Sequence, residues 1–282
     1  MVEFIKITPS VYAHVMGETR GNVAFINLRT SIAFIDSGIY PTVAKEARKV
    51  AEETTGLKTK YLIITHYHSD HILGNQVFED CKIISSKDTY NLIKKDAEER
   101  FSEDNIKKYI KENPELRDKW KGLRIVLPNE TFEEKYILKE GEKTLEIVQV
   151  GGHTKGSSYV YFKEEEVVIV SDLLFSETFP YAGDETSDIQ QWIKALQIIK
   201  KLQPNIVVPG HGPITSVKEI DTYIHYFEEF AEKIEKYVKE DKPLEDINIE
   251  KDLPSFPYHV DETRIKMMVE HVYHTIKGKM DK

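Results

Sequence analysis

The chain has 282 residues, 31% charged and 40% hydrophobic, with a net charge of −9. That length buries a large core as one sandwich- or barrel-type domain or as two small ones, and the acidic balance argues against a general nucleic-acid footprint. No apolar run is long enough to span a bilayer, and Met1-Val2-Glu3-Phe4 lacks the basic start and apolar core of a signal peptide. The single cysteine, Cys81, excludes an internal disulfide and points to a reducing, cytoplasmic setting. Lys/Glu-rich runs such as Lys139-Glu140-Gly141-Glu142-Lys143 suit a thermophilic protein.

In chain order, Val23–Leu28 and Ile32–Ile35 read as a hairpin around Arg29-Thr30-Ser31, the second strand ending at Asp36-Ser37-Gly38. Val43–Thr55 reads as a helix with Val43, Ala47, Val50 and Ala51 on one face and Gly56 as its stop. Tyr61–Thr65 is a short buried strand. It runs directly into His66-Tyr67-His68-Ser69-Asp70-His71, four metal-capable side chains within six residues. Imidazoles and a carboxylate are donors that suit zinc and its first-row neighbours without a thiolate.

After Ile83-Ile84, residues 87–122 are dense in charge and helix formers and break at Pro114, which fits either a solvated helical insertion or a wall over a pocket. Strands are expected again at Ile125–Leu127, Thr144–Val150, Ser158–Phe162 and Val167–Val170, with Lys163–Glu166 as a polar hairpin tip. Asp188 is expected to cap a helix running to about Leu202, followed by the strand Ile206–Val208. Two amphipathic helices, roughly Val217–Lys239 and Thr263–Ile276, close the chain. Neither a dinucleotide fingerprint nor a phosphate loop occurs.

Three further candidates follow strands: His153 in Gly151-Gly152-His153, Asp172 in Ser171-Asp172, and His211 in Gly210-His211-Gly212. Their glycines let the backbone turn tightly against a small ligand. The remaining histidines, His14, His225, His259, His271 and His274, show no comparable pattern; His271 and His274 read as a surface pair. Asp36 serves equally well as a turn cap or as a group that orients an imidazole.

In the order Asp36, His66-x-His68-x-Asp70-His71, His153, Asp172, His211, the chain resembles the metallo-β-lactamase fold superfamily over about residues 10–215. The resemblance implies an α/β fold, a four-layer αββα sandwich of two mixed sheets with helices outside. It implies one domain over 1–282, carrying the 87–122 insertion and a C-terminal helical segment at about 216–282. It further implies two divalent cations, zinc before iron or manganese: one on His66, His68 and His153, the other on Asp70, His71 and His211, with Asp172 between them.

Asp70 and Asp172 are then the catalytic carboxylates, and a metal-bridging hydroxide attacks an ester, thioester, lactone or, promiscuously, a β-lactam. An aspartate at 172 points away from the dedicated β-lactamases, in which this position is typically not aspartate. The alternatives within the resemblance are a phosphodiesterase or nuclease and a mononuclear iron persulfide dioxygenase. A small-molecule substrate is expected, with no membrane and no nucleic-acid partner; the oligomeric state stays open, a dimer included. Tyr67, Tyr181 and Tyr258 are candidate pocket groups, and Cys81 reads as a buried strand residue.

Overall fold

Alternation along the strands decides the architecture, because each strand offers one face to a helix layer and the other to a second sheet. In a computed structural model describing residues 2–280, seven strands form the first sheet in sequential order. They are β1 (Ile5–Lys6), β2 (Val11–His14), β3 (Val23–Asn27), β4 (Ile32–Ile35), β5 (Thr59–Ile64), β6 (Lys82–Ser86) and β7 (Glu130–Phe132). The meander β1–β4 is antiparallel and β4 to β7 are parallel, so the sheet is mixed. Five more strands, β8 (Lys135–Glu140), β9 (Lys143–Gln149), β10 (Ser158–Phe162), β11 (Val167–Phe175) and β12 (Ile206–His211), form the second sheet. Its order is β12-β11-β10-β9-β8, with only β11 and β12 parallel.

The helices follow the same logic. α1 (Pro41–Thr55), α2 (Ser69–Ile72), α3 (Lys87–Glu99), α4 (Glu103–Glu112) and α5 (Leu116–Lys119) lie in the first half; α6 (Ile189–Lys201), α7 (Val217–Lys239), α8 (Ile249–Asp252) and α9 (Glu262–Met280) in the second. Ala33, Ile35, Ile63, Val160, Phe162, Ile169 and Val208 pack between the sheets. Their neighbours Phe34, Leu62 and Ile64 face outward with Ala47, Ala51 and Ile93. On the far side Tyr159, Val168 and Val170 face Trp192, Leu196, Phe227 and Met268. Three apolar layers between four layers of structure make the αββα sandwich expected from the sequence. No helix among the described residues is long and apolar enough to cross a membrane.

Capping agrees with sequence at two ends. Asp188 accepts the N–H groups of Gln190 and Gln191 at the start of α6, a cap worth about 1 kcal/mol. The C-terminal N–H of Gly56 bonds Glu52 O after α1.

Two expectations need correcting. Ile125–Leu127 is not a strand: Asn75 Nδ2 takes the Val126 carbonyl and Gln76 Oε1 takes the Arg124 N–H, so this segment is tied to the loop after the His-rich motif. The pairing strands there are β7 and β8, which the sequence conceals because β8 is a largely exposed edge in which Leu138 alone is buried. Secondly, β11 continues past Val170 to Phe175, so Asp172 lies within a strand and not after one. Register shifts on both sides of Ser171 keep that strand paired to β12 while breaking its alternation.

Candidate metal centre

The parallel strands of both sheets end on one side of the sandwich, and the predicted residues gather there. β5 delivers His66, His68 and the short helix α2 with Asp70 and His71; the turn after β9 delivers His153; β11 delivers Asp172 and β12 ends on His211. Two convergent groups result, His66/His68/His153/Asp172 and Asp70/His71/His211, the donor atoms of each lying within 4.8 Å of one another. Asp172 touches both. Its Oδ2 is 3.7 Å from His66 Nε2, 3.5 Å from His153 Nε2 and 3.4 Å from His211 Nε2, while Oδ1 is 3.1 Å from His71 Nε2. His68 Nδ1 lies 3.0 Å from His153 Nε2, and Asp70 Oδ2 lies 3.2 Å from His211 Nε2.

Local backbone makes this convergence possible. Ser171 has φ +48° and Asp36 φ +60°, left-handed values that cost a non-glycine residue of order 1 kcal/mol or more. The bulge at Ser171 turns Asp172 out of the strand's inside–outside alternation toward the imidazoles. Gly152 has φ +107°, and a Cβ there would sit 2.6 Å from Trp192 Cα, so only glycine lets the β9 turn press onto α6 and aim His153. A Cβ on Gly210 would come within 1.9 Å of Asp172 Oδ1.

A ring of hydrogen bonds fixes the imidazoles from behind. Asp36 Oδ2 lies 2.9 Å from His71 Nδ1, its Oδ1 accepts the Thr65 N–H at 2.9 Å, and the hydroxyls of Thr65 and Ser171 lie 2.8 and 3.0 Å from Oδ2. Asp36 also falls within 4.8 Å of His66 and His71 donor atoms, but these partners occupy both its oxygens, so it orients His71 and stands outside the donor set. Asn22 stitches the sheets together at the mouth, donating Nδ2 to Pro209 O and Gly212 O.

Electrostatics separates the two groups. Burial drives His153 down to about 3 and His66 well below the usual range, against the pull of Asp172, so both are neutral and hold a free lone pair. Burial pushes His71 and His211 down as well, yet the carboxylates around them win. Asp172, Asp70 and Asp36 hold His71 well above its ordinary value, and Asp172 and Asp70 raise His211 to about 9. Asp70 falls to about 2, its burial outweighed by His71 and His211. The second group therefore concentrates negative charge and favours cations.

The donors fit bound metal. His66 Nε2, His71 Nε2 and Asp172 Oδ1 are buried without a hydrogen-bond partner, as is His153 Nδ1 on the far side of its ring. An unmade bond at a buried polar atom costs about 1–3 kcal/mol, and three such atoms pointing at one another call for an ion.

A cavity of about 350 Å³ opens onto these residues, lined among others by Tyr67, Asp70, Arg100, Asp172, Phe175, Tyr181, Asp184 and Arg264. Tyr258 is not among its lining residues; its hydroxyl donates to Glu219. His271 binds the Ser187 carbonyl, and His274 is exposed beside Tyr273. His14 turns Nδ1 to Glu3 O, away from the centre. A larger groove of about 640 Å³ beside α1 is lined by Lys45, Arg48, Glu52 and Lys58, and its residues belong to none of the convergent donor groups among the described residues.

The sequence did not reveal Asp184. Its Oδ2 lies 2.8 Å from His68 Nε2, opposite the Nδ1 that faces His153, and it also accepts the Tyr67 hydroxyl. Burial opposes its charge, but bonds from His68, Thr186 and Tyr67 hold it well below the usual carboxylate range. No periodicity marks it, because it sits in the irregular stretch between β11 and α6.

The profile of the metallo-beta-lactamase superfamily matches residues 16–211, from before β3 to the last histidine of the cluster. The chain belongs to this superfamily. It is 24% identical over 219 residues to the Beta-lactamase-like protein 2 homolog of Caenorhabditis elegans, covering 76% of this chain and 64% of that protein. The chain therefore spans somewhat under two-thirds of that relative. It is 25% identical over 216 residues to the probable metallo-hydrolase YqjP of Bacillus subtilis, covering 67% of each. A solved metallo-beta-lactamase from Pontibacter korlensis superposes with a TM-score of 0.64 at 19% identity, over 81% of this chain and 99% of that one. At that identity the likeness concerns fold alone.

Proposed function

We propose that this superfamily member is a binuclear metal-dependent hydrolase acting on the carbonyl of an ester, thioester or lactone, with β-lactams as promiscuous substrates. The observation that carries the reading is the meeting at Asp172, within β11, of two donor groups drawn from β5, β9, β12 and the turns that follow them, with buried ligand atoms lacking any other partner. His66, His68 and His153 would hold one cation, Asp70, His71 and His211 the other, with Asp172 between; the neutral nitrogens suit zinc, and iron or manganese after it. When bound, two such cations supply a nucleophile from water at neutral pH and polarise the carbonyl under attack.

The chain's own groups do the rest. The Asp70 carboxylate borders the cavity, and one of its oxygens faces His211. It accepts a hydrogen bond from the attacking water and holds it in line. Asp36 and Asp184 accept from the outer nitrogens of His71 and His68, so that once a cation has displaced the inward proton of His71 both rings would offer it a lone pair. Tyr67 and Tyr181 line the cavity beside the donor set. The reading goes with a small-molecule substrate, a single domain and a cytoplasmic setting.

The test is metal analysis beside a substrate panel of lactones, thioesters and a chromogenic cephalosporin. The expected result is close to two metal ions per chain and hydrolysis abolished by chelation. One iron per chain with oxygen uptake would overturn the reading in favour of a dioxygenase. In a parallel measurement Asp172→Ala sharply lowers metal content with the fold intact, and unchanged content would remove Asp172 from between the sites.

A further inference from the structure

The cavity beside the metal centre contains two arginines that the hydrolytic machinery does not use, Arg100 and Arg264. Its carboxylates are already committed. Asp70 and Asp172 lie among the imidazoles, Asp184 serves His68, Tyr67 and Thr186, and Glu185 pairs with Lys95 at 2.7 Å. Arg100 has one carboxylate partner, Asp96 at 2.9 Å, and keeps half its side chain exposed. Arg264 forms no ion pair among the described residues. It spends Nη1 on the Phe179 carbonyl at 2.7 Å and keeps its other N–H groups.

Position matters as much as freedom. The Arg264 guanidinium stands over the Phe175 ring, 5.8 Å from its centroid, and that ring stacks on His211 with centroids 5.0 Å apart. One aromatic ring thus separates this cation from the donor set. Tyr181 lines the same cavity as both arginines, beside His68 with ring centroids 5.8 Å apart. Arg264 comes from α9, beyond the residues 16–211 shared with the superfamily, and so belongs to the C-terminal segment of this chain.

We infer that Arg264, assisted by Arg100, is the subsite for a carboxylate on the substrate, and that the substrate class is an acyl ester or thioester whose acyl part carries an anion. A planar guanidinium with free N–H groups matches a carboxylate's two oxygens, and bound cations leave the cavity still more positive. The inference relies on the hydrolase reading only for where the reacting carbonyl sits.

The test compares mono-(4-nitrophenyl) succinate with its methyl ester on metal-loaded enzyme, for the wild type and for R264Q, R264K and R100Q. Wild type is expected to prefer the free carboxylate by about tenfold in kcat/KM, the size of one charge-assisted interaction. R264Q should erase that preference mainly through KM, R264K should restore part of it, and R100Q should weaken it less. No preference in wild type, or an equal loss on both esters in R264Q, overturns the subsite. Calorimetric binding of glutarate to the same metal-loaded proteins separates the two readings. If neither ester is cleaved but R264Q binds glutarate about tenfold more weakly at equal metal content, the hydrolase reading fails and the subsite stands. Equal glutarate affinity in both proteins overturns the subsite whether or not the esters are cleaved.

Discussion

Asp184 Oδ2 lies 2.8 Å from Nε2 of His68, on the opposite side of the ring from Nδ1, which faces His153 at 3.0 Å. A carboxylate that accepts a hydrogen bond from Nε2–H fixes the tautomer and turns the Nδ1 lone pair inward. Asp36 and His71 repeat the device with the ring reversed, since there Nδ1 meets the carboxylate and Nε2 faces the centre. The two carboxylates come from unrelated parts of the chain, one from the end of β4 and the other from the loop before α6.

Replacing Asp184 by alanine should therefore weaken metal affinity by about 10–100-fold while the far-ultraviolet spectrum stays native. Competition with a chromophoric chelator measures it. Wild-type affinity in the variant would show that His68 needs no partner.

Gly210→Ala places a methyl group on the Asp172 carboxylate, within 1.9 Å of Oδ1 before relaxation. Because the nearby atoms are backbone and a held side chain, the strand must shift. We expect reduced metal content and a loss of activity of at least about tenfold, comparable with other small displacements of reacting groups. Metal stoichiometry and turnover identical to wild type would count against a role for close packing here.

The two halves of the centre should respond differently to pH in metal-free protein. His153, pressed down to about 3 by burial, and His66, held well below its ordinary range, carry no proton at neutral pH, so these two rings release none when a metal binds between pH 6 and 9. His211, raised to about 9 by Asp172 and Asp70 despite its burial, must lose a proton before it can ligate. A raised pKa means that the proton competes below about 9 and is gone above it. Affinity at the second group should thus climb with pH across this range, because His71, also held well above its ordinary value by Asp172, Asp70 and Asp36, must release its proton as well. Zinc titrations across this range give two curves of different slope; parallel curves would contradict the separation.

Trp192 is fully buried on α6, donates Nε1–H to Leu173 O at 2.9 Å and packs edge-on to His153 with ring centroids 5.0 Å apart. Trp192→Ala should cost about 3–5 kcal/mol, the range for removing a large aromatic from a core. It should also lower metal content, because the His153 ring loses the indole it packs against. Urea denaturation beside metal analysis separates the effects, and a loss below about 1 kcal/mol would show that the core refills the gap.

The amino-acid sequence alone carried the local chemistry. It named the strand that ends in His66-Tyr67-His68-Ser69-Asp70-His71, the glycine-flanked His153 and His211, and the capped helix at Asp188, because each depends on near neighbours in the chain. Amphipathic spacing likewise announced α1, α7 and α9, whose buried faces repeat at helical intervals. Tertiary structure alone decided the rest. The edge strand β8 exposes most of its residues and so has no alternation to read, and Asp172 leaves the pattern of its strand at a bulge that depends on pairing with β12. Asp184 and Arg264 reach the cavity from an irregular loop and a distant helix, and no spacing rule connects them to a histidine more than a hundred residues earlier. Short-range periodicity encodes an element and its ends, whereas the partners of an imidazole's second nitrogen are chosen by whichever segments the packed sheets bring beside it.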